Sequence, residues 1–172
     1  MNLVYNPQTI VNSWCKRWDI EEVPNVEFVD DIKSKGIYLF EKEDYKIQLS
    51  SELDDKSKHA VSKITLLHEL RHHYQRIKFR DVSNWWFENV EMYEKYYGTP
   101  FCVVEEDARI FSRSFGEMNG DILLKAFQDL HMPKKAKKNS YAQVMYEEYS
   151  QKFWRIFYDN KLDRAFNKSK SL

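Results

Sequence analysis

The chain is poor in the residues that make tight turns and crosslinks. Its 172 residues include only 4 glycines, 4 prolines and 2 cysteines. So few turn-forming residues argue against an all-β fold and favour long helices. Cys15 and Cys102 are too few for a disulfide framework, which favours a reducing compartment. These shortages predict a helix-rich protein that is stabilised by its apolar core.

Long apolar runs and an excess of charge of one sign are also missing. No run approaches the roughly 18 apolar residues that predict a membrane span, and the first seven residues lack the pattern of a secretory signal. Lys and Arg together number 27, as do Asp and Glu, so the formal net charge is zero. Nucleic-acid-binding proteins usually carry a positive excess. We therefore expect a cytoplasmic protein that binds neither nucleic acid nor a membrane.

The first part of the chain predicts a helix followed by a small sheet. Asn6 and Pro7 form a typical helix start. The turn between the last two of the extended segments predicts an antiparallel hairpin, so we expect a mainly antiparallel sheet. In the last segment, from Tyr45 to Leu49, polar Lys46 and Gln48 alternate with apolar residues, which is typical of a half-exposed strand at a sheet edge. The three extended segments are residues 26–29, 36–40 and 45–49.

Helices are predicted for most of the remaining chain. Apolar residues on more than one side predict a long, largely buried helix at residues 58–80. No shift in composition divides the chain, so we predict one α+β domain, residues 1–172. Its core spans about residues 26–117, and a C-terminal helical extension spans about residues 121–166. An aromatic segment is found at residues 85–97, and further helices are expected at residues 101–117, 121–130 and 140–159.

Residues 65–75, TLLHELRHHYQ, contain the pattern His-Glu-x-x-His. His68 and His72 are four residues apart, so on a helix they lie on one face, one turn apart. Two imidazoles placed in this way can bind one metal ion, and Glu69 can accept a proton from water there. His73 is turned by about 100° from His72, off that face. The pattern is typical of zinc hydrolases.

A hydrolytic zinc site usually has three protein ligands and one open position. A histidine six residues after His72 would be one way to complete the set. That position is Lys78, so this solution fails. An acidic ligand on a second helix is the other solution, and two adjacent glutamates are the candidates.

Helical geometry separates these two glutamates. Glu105 shares a face with the small residues Ala108 and Ser112, which allow a second helix to pack close to the first. Glu106 shares its face with Arg109, so we expect it to be solvated and ion-paired. We therefore predict that Glu105 is the third ligand, and Glu106 is kept as the alternative.

His68-Glu69-Leu70-Arg71-His72, followed by Glu105 and Ala108, resembles the gluzincin clan of metallopeptidases. The resemblance is to its small members: minimal gluzincins, ImmA/IrrE-like peptidases and small phage or bacterial proteins with this motif. It covers residues 38–115. It implies a small sheet packed on an active-site helix, with the glutamate on a second helix. It also implies that a protein or peptide substrate binds along the strand from Tyr45 to Leu49.

The chain departs from the gluzincin pattern at Arg109. Many gluzincins have Asp or Asn at this position, four residues after the ligand glutamate, where it supports a ligand histidine. Asp107 is the candidate for that supporting role here, and Arg71 could pair with an acidic residue of the neighbouring helix. The motif does not place the residue that stabilises the transition state. Its candidates are Tyr93, Tyr96, Tyr97 and His131.

The resemblance implies a zinc-dependent metalloendopeptidase that cleaves a selected protein substrate. Zn²⁺ held by His68, His72 and Glu105 would make a water molecule more acidic and polarise the substrate carbonyl. Glu69 would be the general base and would then protonate the leaving amine. Two alternatives stay open: a binding or effector protein of this fold with weak or no catalysis, and a helical adaptor without metal. Another divalent ion could also replace zinc.

Overall fold

A computed structural model of the protein describes residues 5–42, 44–84, 103–117, 120–121, 123–125 and 128. The predicted aromatic segment and the predicted helix at residues 140–159 lie outside these ranges, as does most of the predicted C-terminal extension. In the described ranges the protein is α+β, with a three-stranded mixed sheet and several helices. No helix among the described residues is long and apolar enough to cross a bilayer.

Helix α1 (Pro7–Trp18) begins where the sequence predicts it. Asn6 Oδ1 accepts a hydrogen bond from the backbone N–H of Thr9 at 3.1 Å, and Pro7 occupies the first helical position. One face of the helix buries Val11, Cys15 and Trp18. This face packs into the core that the sheet and the next helix complete.

The sheet consists of β1 (Asn25–Val29), β2 (Gly36–Glu41) and β3 (Asp44–Ser50). The predicted antiparallel hairpin of β2 and β3 is confirmed. The expectation of a mainly antiparallel sheet is wrong, because β1 pairs with β3 in parallel and the strand order is β1-β3-β2. The hairpin folds back so that β3 lies between the two earlier strands. Alternation along a strand does not reveal this order, since it reports which side is covered and not which strand is adjacent.

The expected edge position of Tyr45 to Leu49 is also wrong. β3 is the central strand and pairs with β1 on one side and with β2 on the other. Its backbone donors and acceptors are therefore engaged, and a substrate strand cannot pair along it. Lys46 and Gln48 are half-exposed because one face of the described sheet is uncovered. Within this sheet the edge strands are β1 and β2.

Two helices complete the described core. After two short 3₁₀ turns (Ser51–Asp54 and Lys56–Lys58), α2 (His59–Lys78) crosses the sheet, close to the predicted range. Its buried side includes Leu66, Leu67 and Leu70, which join Ile47 and Leu49 of β3 in the core. Helix α3 (Val103–Arg113) packs on α2 and buries Ala108 and Phe111. Because α2 is covered by the sheet and by α3, it is buried on more than one side, as predicted.

Candidate metal site

Three side chains from two helices converge at one point. α2 carries His68 and His72 one turn apart, and α3 carries Glu105. His68 Nε2 lies 3.1 Å from His72 Nε2. Glu105 Oε2 lies 3.2 Å from His68 Nε2, and Glu105 Oε1 lies 3.4 Å from His72 Nε2. Together His68, His72 and Glu105 form one convergent group that could hold a metal ion.

The spacing of these ligand atoms is compatible with a tetrahedral zinc ion. Zinc binds imidazole nitrogen and carboxylate oxygen at about 2.0–2.2 Å, so two ligands of a tetrahedral ion lie about 3.3–3.6 Å apart. The observed distances of 3.1, 3.2 and 3.4 Å are close to these values. Two imidazoles and one carboxylate are also a donor set that catalytic zinc sites use, with the fourth position left for water or substrate.

Glu105 and Glu106 are neighbours on α3 but have different surroundings. Burial acts to raise the pKa of Glu105, but its hydrogen bond with His68 and the charge of His72 outweigh it, and the pKa falls to about 2. Glu106 accepts a hydrogen bond from Arg109 Nη1 and is not part of the convergent group. The prediction that Glu106 is solvated is wrong, since only 7% of it is exposed. α3 buries residues on several of its sides, and Glu106 is one of them. The burial of Glu106 raises the pKa of its carboxyl.

The predicted general base, Glu69, is buried beside the convergent group. Burial raises the pKa of its carboxyl to about 7; the charge of His72 opposes this shift, and that of Glu105 adds to it. The backbone N–H of Tyr38 in β2 donates a hydrogen bond to the Glu69 carboxylate. A carboxyl group with a pKa near neutrality can both accept and return a proton at physiological pH.

Close packing of β2 on α2 depends on Gly36. A Cβ atom at this position would lie 2.6 Å from Thr65 Cγ2 and 3.1 Å from Glu69 Cγ. Only a residue without a side chain allows this approach without a shift of its neighbours. Gly36 therefore sets how closely the edge strand lies against the helix face that carries Glu69.

A buried hydrogen-bond network lies behind the convergent group. Arg71 is fully buried, and its Nε and Nη2 donate to the two carboxylate oxygens of Asp107 at 2.7 and 3.1 Å. This pair confirms that Arg71 binds an acidic residue of the neighbouring helix. Gln75 Nε2 donates to Asp107 Oδ2 at 2.7 Å, and Gln75 Oε1 lies 2.9 Å from His72 Nδ1. Asp107 therefore connects to His72 through Gln75.

The remaining candidates are not part of the convergent group. His73 is buried on another side of α2, as its place in the sequence predicts. Its Nε2 donates to the backbone oxygen of Glu22 at 2.6 Å, and its Nδ1 lies 3.1 Å from the Tyr38 hydroxyl. The candidates for transition-state stabilisation all lie outside the described residues; they are Tyr93, Tyr96, Tyr97 and His131.

A cavity of about 360 Å³ opens in front of the convergent group. It is lined by Gly36, Ile37 and Tyr38 of β2, together with the three convergent residues, Glu69 and Gln75. Its volume lies in the range that is typical of ligand-binding clefts. The convergent side chains therefore face a space that a ligand can enter, and the edge strand β2 forms one wall of it.

Gln75 and Gly36 are the residues of this region that the sequence did not single out. Gln75 stands three residues after His72, and residues at this spacing are neighbours on a helix surface. That spacing was a usable signal. Gly36 carried no such signal, because its role depends on a contact with α2, whose residues lie about 30 positions further along the chain.

Comparison of the chain with protein-family models, with curated proteins and with solved structures finds no match. Evidence for a function therefore comes from the site itself. It consists of three ligand atoms within 4.8 Å of one another, a buried carboxyl beside them and a cavity in front of them.

Proposed function

We propose that the protein is a zinc-dependent metalloendopeptidase that cleaves a selected protein substrate. The observation that supports this best is the convergence of His68, His72 and Glu105 from two helices beside buried Glu69. Two imidazoles and a carboxylate without a nearby acid–base group would suit a structural ion equally well. A buried carboxyl on the same cavity wall, able to exchange a proton with water, is what hydrolysis requires in addition.

Each residue of the site has one role in this proposal. His68, His72 and Glu105 would hold the metal ion, which would supply Lewis-acid chemistry for a water molecule and for the carbonyl of the scissile peptide bond. Glu69 takes a proton from the attacking water and then donates it to the nitrogen of the leaving amine. The peptide bond breaks, one water is consumed, and Glu69 returns to its starting state without forming a covalent bond to the substrate.

The proposed substrate lies along β2 and not along β3. Within the described sheet, the outer side of β2 has no partner strand, and its residues Gly36, Ile37 and Tyr38 line the cavity. An extended peptide can add to a free sheet edge through backbone hydrogen bonds, and side-chain pockets then provide selectivity. A peptide bound in this way would have its scissile bond beside Glu69 and the proposed metal ligands.

A second candidate function is binding without cleavage, with the same metal ion. It is favoured by the position of the Tyr38 hydroxyl, which lies 3.1 Å from His73 Nδ1. Among the described residues that line the cavity, Tyr38 is the only tyrosine, and this contact holds its hydroxyl against His73.

The deciding experiment compares the zinc-loaded wild type with the variant Glu69→Gln. The wild type should cleave members of a mixture of unstructured peptides, with products identified by mass spectrometry. Glu69→Gln should still bind zinc but cleave about 10²- to 10⁴-fold more slowly, because the general base is lost. The variant Glu27→Gln is the control, because Glu27 contacts Gln48 on the sheet and no residue of the site.

Three outcomes are informative. Cleavage that zinc chelation and Glu69→Gln both abolish supports the peptidase. Zinc binding without cleavage in the wild type supports the binding protein. Equal cleavage by the wild type and Glu69→Gln contradicts the proposed role of Glu69.

A further inference from the structure

The side-chain amide of Gln75 has three hydrogen-bond partners and is almost completely buried, with 1% of the residue exposed. Its Nε2 lies 2.9 Å from the backbone oxygen of Val104 and 2.7 Å from Asp107 Oδ2. Its Oε1 lies 2.9 Å from His72 Nδ1. Gln75 thus joins a candidate metal ligand on α2 to the helix that carries Glu105.

The partners of the amide determine which of its ends is the nitrogen. A backbone carbonyl only accepts hydrogen bonds, and Asp107 already accepts two from Arg71. Turning the amide round would place its oxygen against two atoms that only accept, the Val104 oxygen and Asp107 Oδ2, and would break both of the hydrogen bonds that Nε2 donates. Since an unsatisfied buried polar group costs roughly 1–3 kcal/mol, this orientation is strongly disfavoured. The amide oxygen therefore faces His72.

The orientation of the amide in turn determines which nitrogen of His72 carries the hydrogen that faces Gln75. Gln75 Oε1 only accepts, so the hydrogen between these atoms belongs to His72 Nδ1. A neutral imidazole with its hydrogen on Nδ1 has its lone pair on Nε2. His72 Nε2 is the atom that lies 3.1 Å from His68 Nε2 and 3.4 Å from Glu105 Oε1. The amide therefore directs a lone pair of His72 towards the convergent group.

The amide is itself held by a charged network. Asp107 is fixed by two hydrogen bonds from Arg71, and Arg71 Nη2 also contacts Asp121 Oδ1 at 3.2 Å. The Tyr74 hydroxyl donates to the same Asp121 carboxylate at 2.9 Å. Four residues therefore fix the position of one amide, and the orientation of the His72 ring follows from it.

We infer that Gln75 is a positioning residue for the metal site: it holds His72 in the tautomer that binds metal through Nε2. This inference rests on the proposed function, because it needs His72 to be a metal ligand. Gln75 does not touch the substrate or the metal in this role and acts through His72 alone. Loss of such a supporting hydrogen bond typically weakens metal binding by about 10- to 100-fold.

The test uses Gln75→Met, which keeps the length of the side chain and removes its hydrogen bonds. Zinc affinity is measured on the full, metal-free protein by competition with a chromophoric chelator. The matched control is Gln8→Met, because Gln8 also bridges two segments, donating to the Pro24 oxygen at 3.1 Å and accepting from the Val26 N–H at 2.9 Å. Gln75→Met should bind zinc about 10- to 100-fold more weakly than the wild type, and Gln8→Met should bind it with wild-type affinity.

A second measurement uses only the wild type, so the inference can be tested even if Gln75→Met does not fold. In zinc-loaded wild type with ¹⁵N-labelled histidine, the ring nitrogens of His72 should show a hydrogen on Nδ1 and metal on Nε2. A His72 ring with its hydrogen on Nε2 would overturn the inference, as would wild-type zinc affinity in folded Gln75→Met. If the wild type binds no zinc, the proposed function fails together with the inference. If the wild type binds zinc and Gln75→Met binds it equally well, only the inference fails.

Discussion

His72 and His73 are adjacent on α2 and have opposite roles. His72 directs Nε2 to the convergent group and gives its Nδ1 hydrogen to Gln75. His73 gives its Nε2 hydrogen to the Glu22 backbone oxygen and accepts at Nδ1 from the Tyr38 hydroxyl. The two rings thus donate from different nitrogens, Nδ1 in His72 and Nε2 in His73. One residue type therefore serves two purposes, according to what packs opposite each ring.

The same contrast separates the cavity-facing side of α2 from its buried sides. On the site side, His68, Glu69 and His72 face a cavity. Away from the cavity, Arg71 and His73 are fully buried on two different sides of the helix: Arg71 contacts Asp107 of α3, and His73 contacts Tyr38 of β2. Burial lowers the pKa of His73 to about 4, although its hydrogen bond to Glu22 opposes this shift, so its ring is neutral at pH 7. Within the described ranges, no buried side-chain nitrogen or oxygen lacks a hydrogen-bond partner.

The largest effect is expected at the buried contact of α2 with α3, from Asp107→Ala. This change leaves the fully buried Arg71 guanidinium without the carboxylate that accepts two of its hydrogen bonds. The free energy of unfolding should fall by about 3–5 kcal/mol, because a charge in the core loses its buried carboxylate partner. Chemical denaturation of the metal-free protein measures this. The control Asp44→Ala breaks an exposed pair with Lys46 and should change stability little, so similar losses in both variants would contradict the contrast.

The next effect separates His73 from His72. His73→Ala should lower the free energy of unfolding by about 2–4 kcal/mol, because it leaves a cavity and removes partners of Glu22 and Tyr38. Zinc affinity of the folded variant should stay close to that of the wild type. His72→Ala should show the reverse: zinc affinity should fall by more than about 100-fold, since a ligand matters more than its support. Chemical denaturation and zinc competition are measured on both variants. Equal losses of stability and of zinc affinity in the two variants would refute the contrast.

The smallest effect concerns the strand that faces the site. Gly36→Ala places a methyl group 2.6 Å from Thr65 Cγ2, so β2 or α2 must shift. The free energy of unfolding should fall by about 1–3 kcal/mol, as is usual when a methyl group is forced into a packed interior. Thr65→Ser removes the contacting methyl group and keeps the hydroxyl that donates to the Val61 oxygen. The double variant should therefore recover most of the loss in thermal unfolding; if it does not, the contact between β2 and α2 is not the cause.

The sequence predicted the parts of the site that depend on one helix. His68, Glu69 and His72 lie within five residues, so their relative directions follow from 3.6 residues per turn. The position of His73 off that face follows from the same geometry. Glu105 needed one further step, from the small residues Ala108 and Ser112 on its face, and both are buried as that step requires.

The order of the strands could not be predicted in the same way. Alternation in Tyr45 to Leu49 correctly indicated one covered and one uncovered face, but it carries no information about the strands on either side. β3 became central because β1 pairs with it in parallel across residues that are distant in sequence. The edge that borders the cavity is therefore β2, and only long-range packing decides this.

By itself, the sequence determined the spacing of two histidines and a glutamate on one helix, because helix geometry is local and repeats every few residues. The tertiary structure alone decided which strand lines the cavity and which residue holds His72. Gln75 and Asp107 are 32 positions apart, and their hydrogen bond exists only because α2 and α3 pack together. A contact of this kind is set by the packing of whole elements, and the burial of Arg71 between the two helices makes it costly to break.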